Sequence, residues 1–280
     1  MSNGDTRTRS GWATGILLLA ALLFRPSAWA ADPNPAAGGV ISINFTALDD
    51  ASAVLASTES AGVIPRANWN NIQYNGNTYG VNPTDDTGTT LASTFVNCRL
   101  SPGYPGKFSY TSTVGNDYLM KSYCGNDETK TPSTGPLIRV SGLPASFLAN
   151  GYSMYVYNDF NNNSGVLRKF DLGTSLLDPN NPSAGITDVR STATKVELTD
   201  WLGTGNPTGI FTEGADGSDG NYLVFRDQTA GEFAIFPICA GPARVAINGI
   251  QIVANTAPGE AEKDEARADD ATPKPEPLKG

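Results

Sequence analysis

Val40-Ile41-Ser42-Ile43-Asn44-Phe45 is the stretch from which the fold can be read. Ile41, Ile43 and Phe45 fall on one side of an extended backbone and Ser42 and Asn44 on the other, because successive strand side chains point to opposite faces. Period two predicts a half-buried strand. Outward from it the same grammar continues: short apolar runs, β-branched or aromatic, separated by clusters of Gly, Asn, Asp, Pro and Ser. Candidate strands are Thr89 to Cys98, Phe108 to Thr113, Leu137 to Ser141, Met154 to Asn158, Leu167 to Leu172, Lys195 to Thr199, Tyr222 to Arg226, Glu232 to Ile238 and Ala243 to Val253. With the first, that makes about ten strands. Both faces of Glu232 to Cys239 are apolar, which places this strand between layers or at a sheet centre. The phase set by Val245 and Ile247 differs from that of Ile250 and Ile252, so a bulge is expected at Gly249. A short helix is possible over Leu48 to Ser57. The pattern predicts an all-β domain, a two-sheet antiparallel β-sandwich, rather than a parallel α/β sheet.

The 280 residues include 19 Lys+Arg, 28 Asp+Glu and no His, for a formal charge of -9. Arg7, Arg9 and Arg25 against Asp5 give residues 1–30 a charge of +2, so the remainder carries -11. Such a surface opposes phosphate, and no basic stripe offsets it, so no nucleic-acid partner is expected. Without His there is no Ser-His-Asp or Cys-His dyad and no imidazole metal ligand.

Arg7 and Arg9 precede the apolar run Ile16 to Phe24, and Ala28-Trp29-Ala30 follows. This is signal-peptide order, and the run is short of the roughly 20 apolar residues of a bilayer span. The expected organisation is a signal peptide over 1–30, a flexible lead over 31–39 and the sandwich over 40–255. A disordered acidic tail over 256–280 completes it, with seven acidic and four basic residues and Leu278 as its large hydrophobe. The expected location is secreted, periplasmic or at the cell surface, with no transmembrane segment after signal cleavage. Three Cys follow the leader, and export favours pairing two of them. Cys98 with Cys124 is one option, worth about 3.5 kcal/mol in the chain-entropy model. The alternatives are that Cys239 is a partner, or that all three stay reduced.

Ile41-Ser-Ile-Asn-Phe45, Ala61-Gly-Val-Ile-Pro65 with Asn68-Trp-Asn-Asn71, Asp117-Tyr-Leu-Met120, Val140-Ser-Gly-Leu-Pro144, Tyr155-Val-Tyr157, Gly220-Asn-Tyr-Leu-Val-Phe225 and Ile247-Asn-Gly-Ile-Gln-Ile252 occur in this order. Together they resemble uncharacterised secreted β-sandwich proteins of environmental bacteria. Those are similar to galactose-binding-like or jelly-roll modules, often borne by surface proteins with a C-terminal sorting segment. The resemblance implies a fold over roughly residues 40 to 253 and carries no catalytic residue. This chain departs from it by ending in the acidic tail.

An exposed aromatic ring beside amides and carboxylates suits a sugar, whose CH face stacks while its hydroxyls take hydrogen bonds. Trp69 with Asn70, and Trp201 with Asp200, have that local chemistry. The alternative is that the Trp rings fill the core and the Asn residues close turns. Calcium takes six to eight oxygens, often from Asp and Asn spaced two apart. Asp159, Asn161 and Asn163 have that spacing, and Asp216 and Asp219 form a second oxygen-rich loop, a solvated turn being the alternative for both. Glu197 with Asp200, or Glu213 with Asp216, could be proposed as paired carboxylates of a glycosidase. Asn44-Phe45-Thr46 and Asn162-Asn163-Ser164 fit N-glycosylation sequons. The function expected is non-catalytic binding of a polysaccharide or glycan. The alternative is a structural or adhesive surface component that contacts envelope proteins.

Overall fold

A computed structural model describes residues 35–47, 53–74, 79–99, 103–107, 115–126, 137–159, 168–173, 194–198, 209–215, 218–239 and 246–256. All belong to the compact unit Asp32–Gly280. The expected leader, the strand at Phe108 to Thr113 and almost all of the tail lie outside the described residues.

The described chain is mostly β. Its strands are β1 (Val40–Ala47), β2 (Asn70–Tyr74), β3 (Tyr79–Val81), β4 (Phe95–Arg99), β5 (Gly103–Lys107), β6 (Ser122–Asn126), β7 (Leu137–Ser141) and β8 (Tyr152–Tyr157). There follow β9 (Arg168–Gly173), β10 (Thr194–Leu198), β11 (Ser218–Gly220), β12 (Tyr222–Gln228), β13 (Phe233–Cys239), β14 (Ala246–Ile247) and β15 (Gly249–Ala254). Two short helices interrupt them, α1 (Gly115–Lys121) and α2 (Ala145–Ala149). Five strands pair in the order β12-β8-β15-β1-β2, seven in the order β11-β10-β9-β13-β7-β4-β3, and three in the order β14-β6-β5.

The count exceeds the expected ten because short strands such as β3, β5 and β11 carry too few apolar residues to register as a period. Antiparallel pairs dominate, but β1 with β2 and β10 with β11 run parallel. A parallel neighbour requires a crossover. Here the crossover between β1 and β2 includes residues 53–69, and it covers one face of the five-stranded sheet. Of the possible helix over Leu48 to Ser57, residues 48–52 lie outside the described residues; Ala53 is in a 3-10 turn and 54–57 is irregular chain entering a turn. Leu55 is buried from that segment.

Ile41, Ile43 and Phe45 join one apolar cluster with Met154, Val156, Leu223, Phe225, Ile250 and Ile252 of the same sheet. Val96, Ile138, Val140, Phe233 and Ile235 of the seven-stranded sheet enter the same cluster. Each fully buried aliphatic side chain of this kind contributes about 1.5–3 kcal/mol. β13, apolar on both faces in the sequence, is the middle strand of the seven.

The other side of β1 differs from expectation. Ser42 and Asn44 are buried, because residues 53–69 and α1 pack over them. That second cluster holds Val40, Leu55, Ala61, Trp69, Leu119, Met120, Tyr155, Tyr157 and Val253. α1 presents Leu119 and Met120 inward and has Asp117 in its first turn and Lys121 in its last, the arrangement the helix dipole favours. Polar groups on this face bond to one another and to the cover. Asn44 Nδ2 donates to Ala53 O and to Asn71 Oδ1, both at 2.8 Å. Because Asn44 has no exposed surface, its sequon does not present an accessible side chain.

The expected change of phase near Gly249 falls one residue earlier and has a larger consequence. β14 pairs with β6, whereas β15 pairs with β1 and β8, so Asn248 is the point where the chain passes between sheets. The Asn248 amide donates to Met120 O and Ser122 O, each at 3.0 Å, and its Oδ1 accepts from Asp159 N at 2.6 Å. Gly249 is required beside it: an added Cβ would lie 2.6 Å from Ile43 O and 2.7 Å from Leu119 Cδ1.

A disulfide joins Cys98 on β4 to Cys124 on β6, tying the seven-stranded sheet to the three-stranded one.

Candidate functional site

The expected sugar platform at Trp69 is replaced by a packing residue. Trp69 is only 4 % exposed, its Nε1 donates to Arg66 O at 2.8 Å, and its ring tilts against Tyr157. Asn70 is equally committed. Its Nδ2 donates to Ser42 O and Thr84 O, and its Oδ1 accepts from Thr84 N. These three bonds fix the start of β2 against β1 and leave the amide no role toward a ligand. Asn68, at a left-handed φ of 57°, turns the chain into the segment and donates to Asp86 O. Trp201 and Asp200 lie outside the described residues.

Of the oxygen-rich loops, Asp159 is fully buried just past the end of β8, held by the bond from its backbone N to Asn248. Asn161, Asn163 and Asp216 lie outside the described residues. Asp219 is in β11, in register with Glu197 of β10. Among the described residues no three His, Cys, Asp or Glu side chains gather as metal ligands. Glu213, proposed in one carboxylate pair, forms a two-pronged ion pair with Arg226 at 2.8 and 3.0 Å.

A different surface assembles the chemistry expected of the Trp residues. On β4, Val96 and Cys98 point into the core; on β7, Ile138 and Val140 do the same. Alternation therefore puts Phe95, Asn97, Arg139 and Ser141 on the opposite, outward face. Register sets Phe95 against Ser141 and Asn97 against Arg139. Four side chains thus form a two-by-two block across adjacent strands, with opposite Cβ atoms about 4.5–5.5 Å apart. Phe95 is 42 % exposed, one of two large hydrophobic side chains open to solvent among the described residues. The other, Ile210, is in an irregular segment.

Two small residues shape the block. Gly80 on β3 pairs with Asn97, and a Cβ there would lie 2.0 Å from Phe95 Cζ, so the ring rests directly on the glycine backbone. Ala234 on β13 is the other neighbour of Arg139. The result is an aromatic platform with a hydroxyl, an amide and a guanidinium beside it. Arg139 Nε is buried and makes no hydrogen bond.

Sequence reasoning misses this site because Thr89 to Cys98 stands there only as a candidate strand, with nothing that singles out Phe95. The usable signal was the pairing of outward Phe95 and Asn97 with outward Arg139 and Ser141, which requires knowing that β4 and β7 are neighbours.

No protein-family model matches the chain, and no curated protein matches it.

Proposed function

We propose that the protein is an exported, non-catalytic β-sandwich that binds carbohydrate at the cell envelope or outside the cell. The five- and seven-stranded sheets are the two layers, a reading supported by the apolar cluster they share. Export rests on the basic, apolar and small-residue order of residues 1–30. The observation that carries the binding function is the exposed Phe95 ring held over Gly80 beside Asn97, Arg139 and Ser141. A pyranose stacks its CH face on the ring, and its hydroxyls bond to the polar neighbours. Sites of this kind are shallow, and one ring supplies a large part of the affinity.

The test is a glycan array probed with the purified protein, in calcium and then in chelator, followed by Phe95→Ala. Binding to a defined glycan set that falls at least tenfold in Phe95→Ala, at unchanged melting temperature, is the expected result. No glycan bound under either condition, or equal binding by the variant, overturns the reading.

A further inference from the structure

We infer that the glycan recognised at the Phe95 face carries a carboxylate, a uronic acid seated against Arg139; this rests on the carbohydrate-binding reading above. In a chain with 28 acidic and 19 basic residues, a guanidinium has no shortage of possible partners. The ion pairs Arg66 with Asp86 and Arg226 with Glu213 illustrate the usual outcome. Arg139 is the exception. Among the described residues no ion pair includes it, and its Nε is buried without an acceptor. The residues directly opposite it, Asn97 and Ala234, bring no charge, and the carboxylate on its diagonal, Glu232, makes no ion pair with it.

Leaving a buried donor unpaired is costly, and more so for a charged group. A carboxylate that meets the accessible part of the half-buried guanidinium offsets that cost in part, Nε itself having no exposed surface. A guanidinium presents parallel N–H donors that match the two oxygens of a carboxylate, an arrangement a lysine or a neutral amide does not reproduce. Partial burial raises the value of the pair, because the effective dielectric there is below that of water.

Spacing fits the same ligand. Arg139 is the diagonal neighbour of Phe95, and diagonal positions on adjacent strands are about 7–8 Å apart. The Phe95 ring lies over Gly80 of β3, on the far side of β4 from Arg139, so a saccharide stacked on it reaches across Asn97 for its carboxylate to meet the guanidinium. The overall negative charge does not prevent this, since the repulsion is screened over about 8 Å at physiological ionic strength.

The experiment measures binding of galacturonate, mannuronate and glucuronate oligosaccharides, and of their methyl esters, to the wild-type protein, Arg139→Gln, Arg139→Lys and Phe95→Ala. Esterification keeps the ring and removes the charge. The expected result is at least tenfold preference for one free acid over its ester, lost in Arg139→Gln, reduced in Arg139→Lys, and weakened by salt. Phe95→Ala is expected to weaken acid and ester alike. Equal binding of acid and ester by the wild type, a preference retained in Arg139→Gln, or stronger binding of a sulfated galactan than of any uronate overturns the carboxylate assignment. Those results leave carbohydrate binding standing as long as Phe95→Ala still weakens it. Binding of no sugar in any form overturns both.

Discussion

The Tyr157 hydroxyl on β8 donates to the side-chain oxygen of Gln251 on β15 and accepts from Val63 N, at 2.8 Å, on the segment that crosses above them. Gln251 Nε2 in turn donates to Ser42 Oγ at 3.1 Å and to Ile64 O at 2.9 Å. Three strands and the cover are therefore joined through one buried polar network. Such a network contributes stability only while each member is satisfied.

Removing one member therefore has a predictable cost. Tyr157→Phe deprives Val63 N and Gln251 Oε1 of their partner, and a loss of about 1–3 kcal/mol is expected in urea unfolding. The same variant changes the pH response. Burial pushes the Tyr157 phenol well above its usual range. A raised folded pKa means that the unfolded chain releases this proton first, near pH 10. The contribution is then intact below about pH 10 and declines above it. The wild-type urea midpoint is expected to fall more steeply between pH 9 and 11 than that of Tyr157→Phe; parallel curves would show that Tyr157 titrates normally.

Gly62→Ala is expected to loosen the cover. Gly62 has φ +93°, and an added Cβ would meet the Gln251 side-chain oxygen and, at 2.9 Å, the Tyr157 hydroxyl. Both backbone strain and the lost network act in one direction, at about 1–3 kcal/mol. Limited proteolysis should then cleave within residues 53–69 sooner than in the wild type.

Asn248→Ala removes three buried side-chain hydrogen bonds at the passage between sheets, to Met120, Ser122 and Asp159. A cost of about 3 kcal/mol or more is expected. Asn248→Asp is expected to be no better, because a carboxylate oxygen would face the carbonyls of Met120 and Ser122. Chemical denaturation of both variants checks the order.

Reduction of the disulfide, or Cys98→Ser with Cys124→Ser, releases a loop with a sequence separation of 26. The expected loss is about 3.5 kcal/mol. Melting with and without reductant measures it, and the double variant should lose the reductant dependence.

Much of the β character was legible because strands whose outward residues are solvated, or whose faces are both apolar, announce themselves by period. The bounds of β7 match the expected strand, and β13 takes the central place its two apolar faces required. Ser42, Asn44 and Gln251 were misleading. A polar residue in alternation reads as exposed, yet these three are buried: Gln251 donates to Ser42, and Asn44 donates to Ala53 and Asn71 of neighbouring segments. Local pattern holds no record of a partner two hundred residues away. The helix α1 was hidden for a related reason: seven residues are too few to display a helical period. Trp69 was read for its neighbours' chemistry, and those same Asn side chains turned out to bind backbone. The Phe95 block could not be seen until β4 and β7 were adjacent.

The register Val40 with Val253 makes the first and last described strands of the five-stranded sheet immediate neighbours. A ribosome delivers Val40 long before Val253, so the middle of that sheet stays open until nearly the whole domain has been made. Closure thus waits for β15, and a chain halted before it would retain an unsealed seam along β1 and β8. Joining residues 39 and 255 by a short linker and cutting at another loop would convert that late meeting into an early one, and faster refolding would be its signature.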